Sequence, residues 1–199
     1  MILLRHGQSE FNLHFGATRR DPGIPDPPLT ELGREQAEAA AMALAGEDIR
    51  RIICSPYTRA LQTATPIARR LGLKLTITPI VRERYAFSCD IGSPRTELRL
   101  RWPHLDLDHL EEVWWPVIEE PDHQIEARAR LFRAEMAALD DWRHTLVVSH
   151  WGFILATTGQ RLMNGEWLRC DLTEPHPENI IWRQYQPPPA TNNTAGPKS

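Results

Sequence analysis

Ile2-Leu3-Leu4-Arg5-His6-Gly7-Gln8-Ser9 joins a short apolar run to a basic pair and a glycine. The apolar residues predict a buried strand. Gly7 ends it and lets the backbone come close to a ligand. A strand that delivers Arg5 and His6 into a glycine turn has little use as packing. It has a clear use as an anion site.

Two later stretches repeat the arrangement. Ile52-Ile53-Cys54 reads as a second buried strand and runs into Ser55-Pro56, a cap with proline at the first helical position. Leu146-Val147-Val148 reads as another and runs into Ser149-His150-Trp151-Gly152. Leu73, Leu75 and Ile77 alternate with Lys74 and Thr76, which is strand periodicity, and Ile180-Ile181-Trp182 suggests a last strand.

Helices are predicted between them. Phe11, Asn12 and Phe15 form one turn, and Thr30 caps an alanine-rich helix that Gly46 stops. The helix after Ser55 runs to Leu71 and is closed by Gly72. From Asp122 to Trp142, the residues Ile125, Ala129, Phe132, Met136 and Leu139 make an amphipathic stripe. Arg128, Arg130 and Arg133 are read as its solvated face. Another helix runs from Ser149 to Leu162. Strands alternating with helices imply a three-layer α/β/α fold with a mainly parallel central sheet.

The expected organisation is a single domain over residues 1–185 with a disordered tail at 186–199, rich in Pro, Ala, Thr and Asn. Residues 79 to 121 lack a period and contain Pro79, Pro94, Pro103, Pro116 and Pro121, with a short helical piece at Thr96 to Trp102. They are read as an irregular lid and pocket wall. Trp102, Trp114, Trp115 and Trp151 either wall the pocket or simply pack.

Composition narrows the function. The apolar share of 41% suits a sizeable core, and the net charge of −3 argues against a general nucleic-acid surface. No apolar run approaches the roughly 20 residues that span a bilayer, so no membrane role is expected. No basic stretch precedes a long apolar segment, so no secretory signal is expected and the chain is read as cytoplasmic. Cys54, Cys89 and Cys170 are scattered without a CxxC spacing, against a disulfide framework or a zinc cage. Cys54 reads as core, and Cys89 as a loop residue near the site. Arginine outnumbers lysine by 21 to two, which base composition explains as well as phosphate binding does.

Ligands of parallel sheets bind beyond the carboxyl ends of the strands. That rule brings Arg5 and His6, Arg59, and His150 to one rim although they are far apart in sequence. Two arginines able to donate in bidentate fashion, with two histidines, make a site for a dianion. Helix N-termini after Ser55 and Ser149 would add backbone donors.

Four stretches then carry a resemblance. Leu4-Arg5-His6-Gly7-Gln8-Ser9-Glu10-Phe11-Asn12 resembles the RHGE/Q motif of the histidine phosphatase superfamily, the phosphoglycerate mutase-like proteins. Pro28-Leu29-Thr30-Glu31-Leu32-Gly33-Arg34-Glu35-Gln36-Ala37 is similar to its PLTxxGxxQA helix start. Ser55-Pro56-Tyr57-Thr58-Arg59-Ala60-Leu61-Gln62-Thr63-Ala64 resembles SPxxRAxQTA, and Val148-Ser149-His150-Trp151-Gly152 its SHGG-like motif. The resemblance implies a phosphoglycerate mutase-like fold and a phosphohistidine on a neutral His6. It implies a clamp of Arg5, Arg59 and a protonated His150 on the phosphate, with Asn12 and then Ser9 close by.

The family takes its proton donor from an acid after the third strand, where Glu83 stands in Val81-Arg82-Glu83-Arg84. The plain alternative is that Glu83 pairs with Arg82 or Arg84. The glycine often found beyond that acid is absent, since Tyr85-Ala86-Phe87 stands there, so Asp90 and Glu97 remain substitutes. Arg95 is a candidate for a second anionic group of the substrate and Trp151 for its pocket.

The expected activity is a metal-independent phosphatase acting on a small phosphomonoester and releasing inorganic phosphate, with no cofactor. A phosphoglycerate mutase is the alternative, set back by the compact, unlike lid. A non-catalytic phospho-ligand binding protein and a metal site built from His6 and His150 are the remaining readings. The natural substrate and the oligomeric state are not readable.

Overall fold

The computed structural model describes residues 1–182. β1 (Ile2–Arg5), β2 (Arg51–Cys54), β3 (Leu75–Ile77), β4 (Thr145–Ser149) and β5 (Trp167–Arg169) form one sheet in the order β3-β2-β4-β1-β5. β1 pairs with β4, β4 with β2, and β2 with β3, all in parallel; β5 runs antiparallel to β1.

Successive strand side chains point to opposite faces, and the apolar runs divide accordingly. Ile2, Leu4, Ile52, Cys54, Leu146 and Val148 pack with α2 (Glu31–Ala43) and α3 (Thr58–Leu71). Leu3, Ile53 and Val147 pack on the other face with α5 (Asp122–Ala137) and α6 (Trp151–Thr158). Because both faces are covered, these strands read as continuous apolar runs. Each fully buried Leu or Ile contributes about 1.5–3 kcal/mol. The fold is α/β with a mostly parallel sheet between helical layers, as expected.

The turn after β1 is held by close backbone approach. A Cβ on Gly7 would collide with the carbonyl of Gly33, and one on Gly33 with the carbonyl of Gln8. The first two motifs therefore carry glycine because they pack against each other there. Thr30 caps α2 by accepting the Gly33 N–H, and Gly72 ends α3 in the left-handed region at φ 66°.

Several element boundaries differ from expectation. α1 (Glu10–Thr18) is a full helix, because Ser9 and Asn12 cap it reciprocally. α3 begins at Thr58 after Tyr57. Its Thr58 N–H is taken by the Asp26 carboxylate, which leaves the Ser55 hydroxyl for another use. α2, α5 and α6 stop at Ala43, Ala137 and Thr158, short of their expected ends. Ile180-Ile181-Trp182 is not a strand; the Trp182 indole donates to Glu126 and rests at ring-contact distance from Trp151. Among the described residues the last strand is β5.

The solvated face assigned to α5 holds for Arg130 alone. Arg133 is buried and donates to the carbonyls of Thr157 and Glu174; the Arg128 side chain is 10% exposed and turned inward. No helix among the described residues is long and apolar enough to cross a membrane. The expected tail at 186–199 lies outside the described residues.

Candidate active site

β1 and β4 are parallel neighbours with Arg5 opposite Ser149. The next residues, His6 and His150, therefore sit about one strand spacing apart. Their ring centroids are 5.0 Å apart, and the His6 N–H extends the ladder to the Ser149 carbonyl at 3.0 Å. His6 Nδ1 lies 2.7 Å from the Gly7 carbonyl, which can only accept. Nδ1 thus carries the proton and Nε2 the lone pair. Burial, with Arg59 and Arg5 adding to it, pushes His6 well below its ordinary value and keeps it neutral.

His150 is fully buried against His6, with Nε2 2.8 Å from the Ser55 Oγ and Nδ1 without a protein partner. Burial, then Arg59, His6 and Arg5, push it well below its ordinary value too. Burial and these neighbours favour the neutral imidazole over the protonated one that the resemblance implied. If Ser55 donates its hydroxyl proton to Nε2, Nδ1 carries hydrogen and remains a donor.

Arg5 donates from Nη1 to the Leu162 carbonyl, while its Nε is buried without a partner. Burial lowers its guanidinium to about 10, so it stays charged at neutral pH. Arg59 is the second residue of α3, the helix that follows β2. It donates to the Cys89 carbonyl at 2.7 Å and to Asp90 Oδ1 at 3.2 Å, with its guanidinium 4.4 Å from the Tyr57 ring centroid. Asp90 also accepts the Ala86 and Phe87 N–H groups.

Glu83 pairs with neither neighbouring guanidinium. Its carboxylate accepts the Gly152 N–H at 2.8 Å and the Arg84 N–H at 2.8 Å. A Cβ on Gly152 would collide with Glu83 Oε1, so the glycine of the last motif makes room for the acid. Burial, with Asp90 adding to it, pushes the Glu83 carboxyl up to about 7, against Arg59 and Arg5. Such a group can hold a proton and release it near neutral pH.

A cavity of about 460 Å³ is lined by Arg5, His6, Ser9, Asn12, Arg59, Glu83 and Trp151, with His150 buried behind His6 and not on its wall. Asn12 Oδ1 accepts from the Ser9 N–H, the Ser9 hydroxyl and Asn164 Nδ2, which leaves the Asn12 Nδ2 as the donor to offer. Arg95 is a correction. It does not line the cavity; it pairs with Glu112 and donates to the Leu110 carbonyl. Glu97 faces Arg101 outside the cavity, and Asp90 is committed to Arg59. Cys89 lines the cavity, but burial pushes its thiol far up, so it is not a thiolate.

Some supports escaped the sequence reading. Thr63 accepts the Gly7 N–H and donates to the Arg59 carbonyl, and its place inside the third motif was the available signal. Asn164 donates to the His6 carbonyl at 3.1 Å from a turn that carried no signal beyond Asn-Gly. Arg128 donates to the carbonyls of Ile80 and Arg82, immediately before Glu83, while Glu120 grips its guanidinium at 2.6 Å. Among the described residues, no group of three or more His, Cys, Asp or Glu side chains could hold a metal ion.

The family model of the histidine phosphatase superfamily (branch 1) matches residues 1–177. A glucosyl-3-phosphoglycerate phosphatase of Mycobacterium tuberculosis is 30% identical over 176 residues, covering 81% of this chain and 74% of the relative. A probable phosphoglycerate mutase GpmB of Photorhabdus laumondii is 42% identical over 83 residues, which are 42% of this chain and 37% of that protein. Among solved structures, a mycobacterial glucosyl-3-phosphoglycerate phosphatase complexed with VO3 superposes with a TM-score of 0.60 at 27% identity, covering 84% of this chain and 88% of that one.

Proposed function

The chain belongs to the histidine phosphatase superfamily, branch 1, and from that premise we propose that it is a phosphatase cleaving small phosphomonoesters through a phosphohistidine on His6. One observation carries the reading: the Gly7 carbonyl holds the His6 proton on Nδ1, which turns a neutral, lone-pair-bearing Nε2 to a cavity flanked by Arg5 and Arg59.

The Nε2 lone pair attacks phosphorus, and the bond from phosphorus to the ester oxygen breaks. Arg5, Arg59, the Asn12 amide and His150 Nδ1–H donate to the three oxygens on which charge spreads. Glu83, protonated, gives its proton to the leaving alkoxide. The resulting carboxylate takes a proton from water, whose oxygen attacks phosphorus. The P–N bond then breaks, inorganic phosphate leaves, and His6 recovers its lone pair. The cationic work in this scheme falls to two arginines, so turnover is expected to survive exhaustive chelation.

The test is phosphate release from simple alkyl phosphates, with acid-labile labelling of the protein by substrate. His6→Ala should lower kcat by a factor on the order of 10⁶ and abolish the label. Undiminished activity in that variant would remove His6 as nucleophile. Conversion of 3- to 2-phosphoglycerate without net release would replace the phosphatase by a mutase.

A further inference from the structure

We infer that the alcohol portion of the substrate is a flat apolar group, an arylalkyl ester in place of a polyol or a second anion, held at the mouth of this same cavity. The inference rests on the phosphatase reading above and adds the substrate class to it.

The cavity of about 460 Å³ continues past the phosphate-binding groups into an aromatic mouth. Phe11 and Phe15, one turn apart on α1, stack with ring centroids 5.2 Å apart. Phe87, from the loop that carries Glu83, closes on them at 5.6 and 5.2 Å. Trp151 and Trp182 line the same cavity, with their rings 6.3 Å apart.

Phe11 is buried within the fold, but packing does not account for Phe15 and Phe87, which are left partly uncovered. None of them belongs to either core flanking the sheet. Phe87 is 42% exposed, although a phenyl ring at the edge of an aromatic cluster gains from being covered. A ring on the substrate would cover it while its phosphate sits on Arg5 and Arg59.

The charges at the mouth point the same way. Arg84 is occupied by Glu119 at 3.0 Å, by Asp122 at 3.2 Å and by the Glu120 carbonyl at 2.8 Å. The competing occupant is an anionic substituent drawn to Arg19, which also lines the mouth.

The test compares alkyl esters, so that leaving-group acidity does not decide the result: 2-phenylethyl phosphate against glycerol 1-phosphate, glucose 6-phosphate and 3-phosphoglycerate. The phenylethyl ester should show the highest kcat/KM, with the advantage lying mainly in KM. Phe87→Ala should lower its kcat/KM about three- to tenfold and shrink its lead over glycerol 1-phosphate. In the unaltered protein, 2-phenylethylphosphonate should inhibit more tightly than methylphosphonate, a readout that needs no variant. If 3-phosphoglycerate or a polyol ester is turned over at least as well, or the two phosphonates inhibit alike, the aromatic substrate class is overturned and the phosphatase stands. Absence of phosphate release from every ester would sink both.

Discussion

Residues 79–91 and 92–118 are consecutive and both largely irregular, the first with two 3-10 turns and the second with the seven-residue α4 (Arg95–Arg101), yet they serve different ends of the molecule. The first segment leaves β3 at the rim of the sheet. It places Glu83, Arg84, Ala86, Phe87, Cys89 and Asp90 on the cavity. The second contributes nothing to the cavity and sinks Leu98, Leu107, Leu110 and Trp114 into the core on the α2 and α3 face. Trp114 meets Tyr57 edge-on at 4.7 Å and donates to the Ser93 carbonyl. Gly92 marks the change, because a Cβ there would collide with both Trp114 and Trp115. Irregular sequence alone does not identify a lid. What decides is which segment starts at a strand's carboxyl end.

The largest effect that would sharpen this contrast is Glu83→Gln. It should lower kcat/KM, which reports phosphoryl transfer to His6, by about 10²–10⁴-fold on alkyl phosphates and much less on aryl phosphates, whose leaving groups need no proton. With the carboxyl raised to about 7, the acid form should be lost above that pH and kcat/KM on alkyl esters should fall there. The variant should lack that limb. Burial raises this acid from 4.5, so its own contribution to stability is fully present below pH 4.5 and is lost as pH rises through about 7. Glu83→Gln should flatten that decline in urea titrations. An unchanged pH profile would break the assignment.

How much of this was legible follows from where each contact comes from. Strand end, turn and helix start are local, so Arg5-His6-Gly7, Ser55 to Thr63 and Ser149 to Gly152 announced themselves. The period-2 split of Leu3 from Ile2 and Leu4 set the layers. Glu83 was reached only through its place after the third strand, because no local pattern separates it from Asp90. Arg128 looked like solvated helix surface, since its partners Ile80 and Arg82 lie 48 and 46 positions away. Asn164 was invisible for the same reason, 158 positions from His6. β5 is three residues of mixed character paired to β1 at the sheet's edge, too short to show a period.

Trp114→Ala tests the other segment. Removing a buried indole from the core should cost about 3–5 kcal/mol and lower Tm markedly. The pH limb set by Glu83 should persist in the folded variant at low temperature. Loss of that limb with little change in Tm would reverse the roles of the two segments.

Arg128→Met asks whether the first segment depends on its clamp. The guanidinium binds two carbonyls before Glu83 and the buried Glu120, so its loss frees the acid's backbone while the carboxylate remains. A displacement of about 1 Å can cost up to about 10² in rate. That loss should appear in kcat/KM for alkyl esters, with inhibition by inorganic phosphate largely kept. Equal loss on aryl esters would point to general unfolding instead, and a thermal melt would register it.

Arg95→Ala should have the smallest effect, and it bears on the second segment's independence from the cavity. The side chain is about one-third exposed, lies 3.6 Å from an exposed Glu112 carboxylate and donates to the Leu110 carbonyl. An exposed pair of this kind contributes about 0–1 kcal/mol, because solvent screens it and ordering two long side chains costs entropy. Tm should therefore move little, and less still at high salt. KM should not change for any phosphomonoester, including one with a second anionic group, since Arg95 does not reach the cavity. A selective rise in KM for 3-phosphoglycerate would mean that residues 92–118 close over the substrate, and the contrast between the two segments would fail at that point.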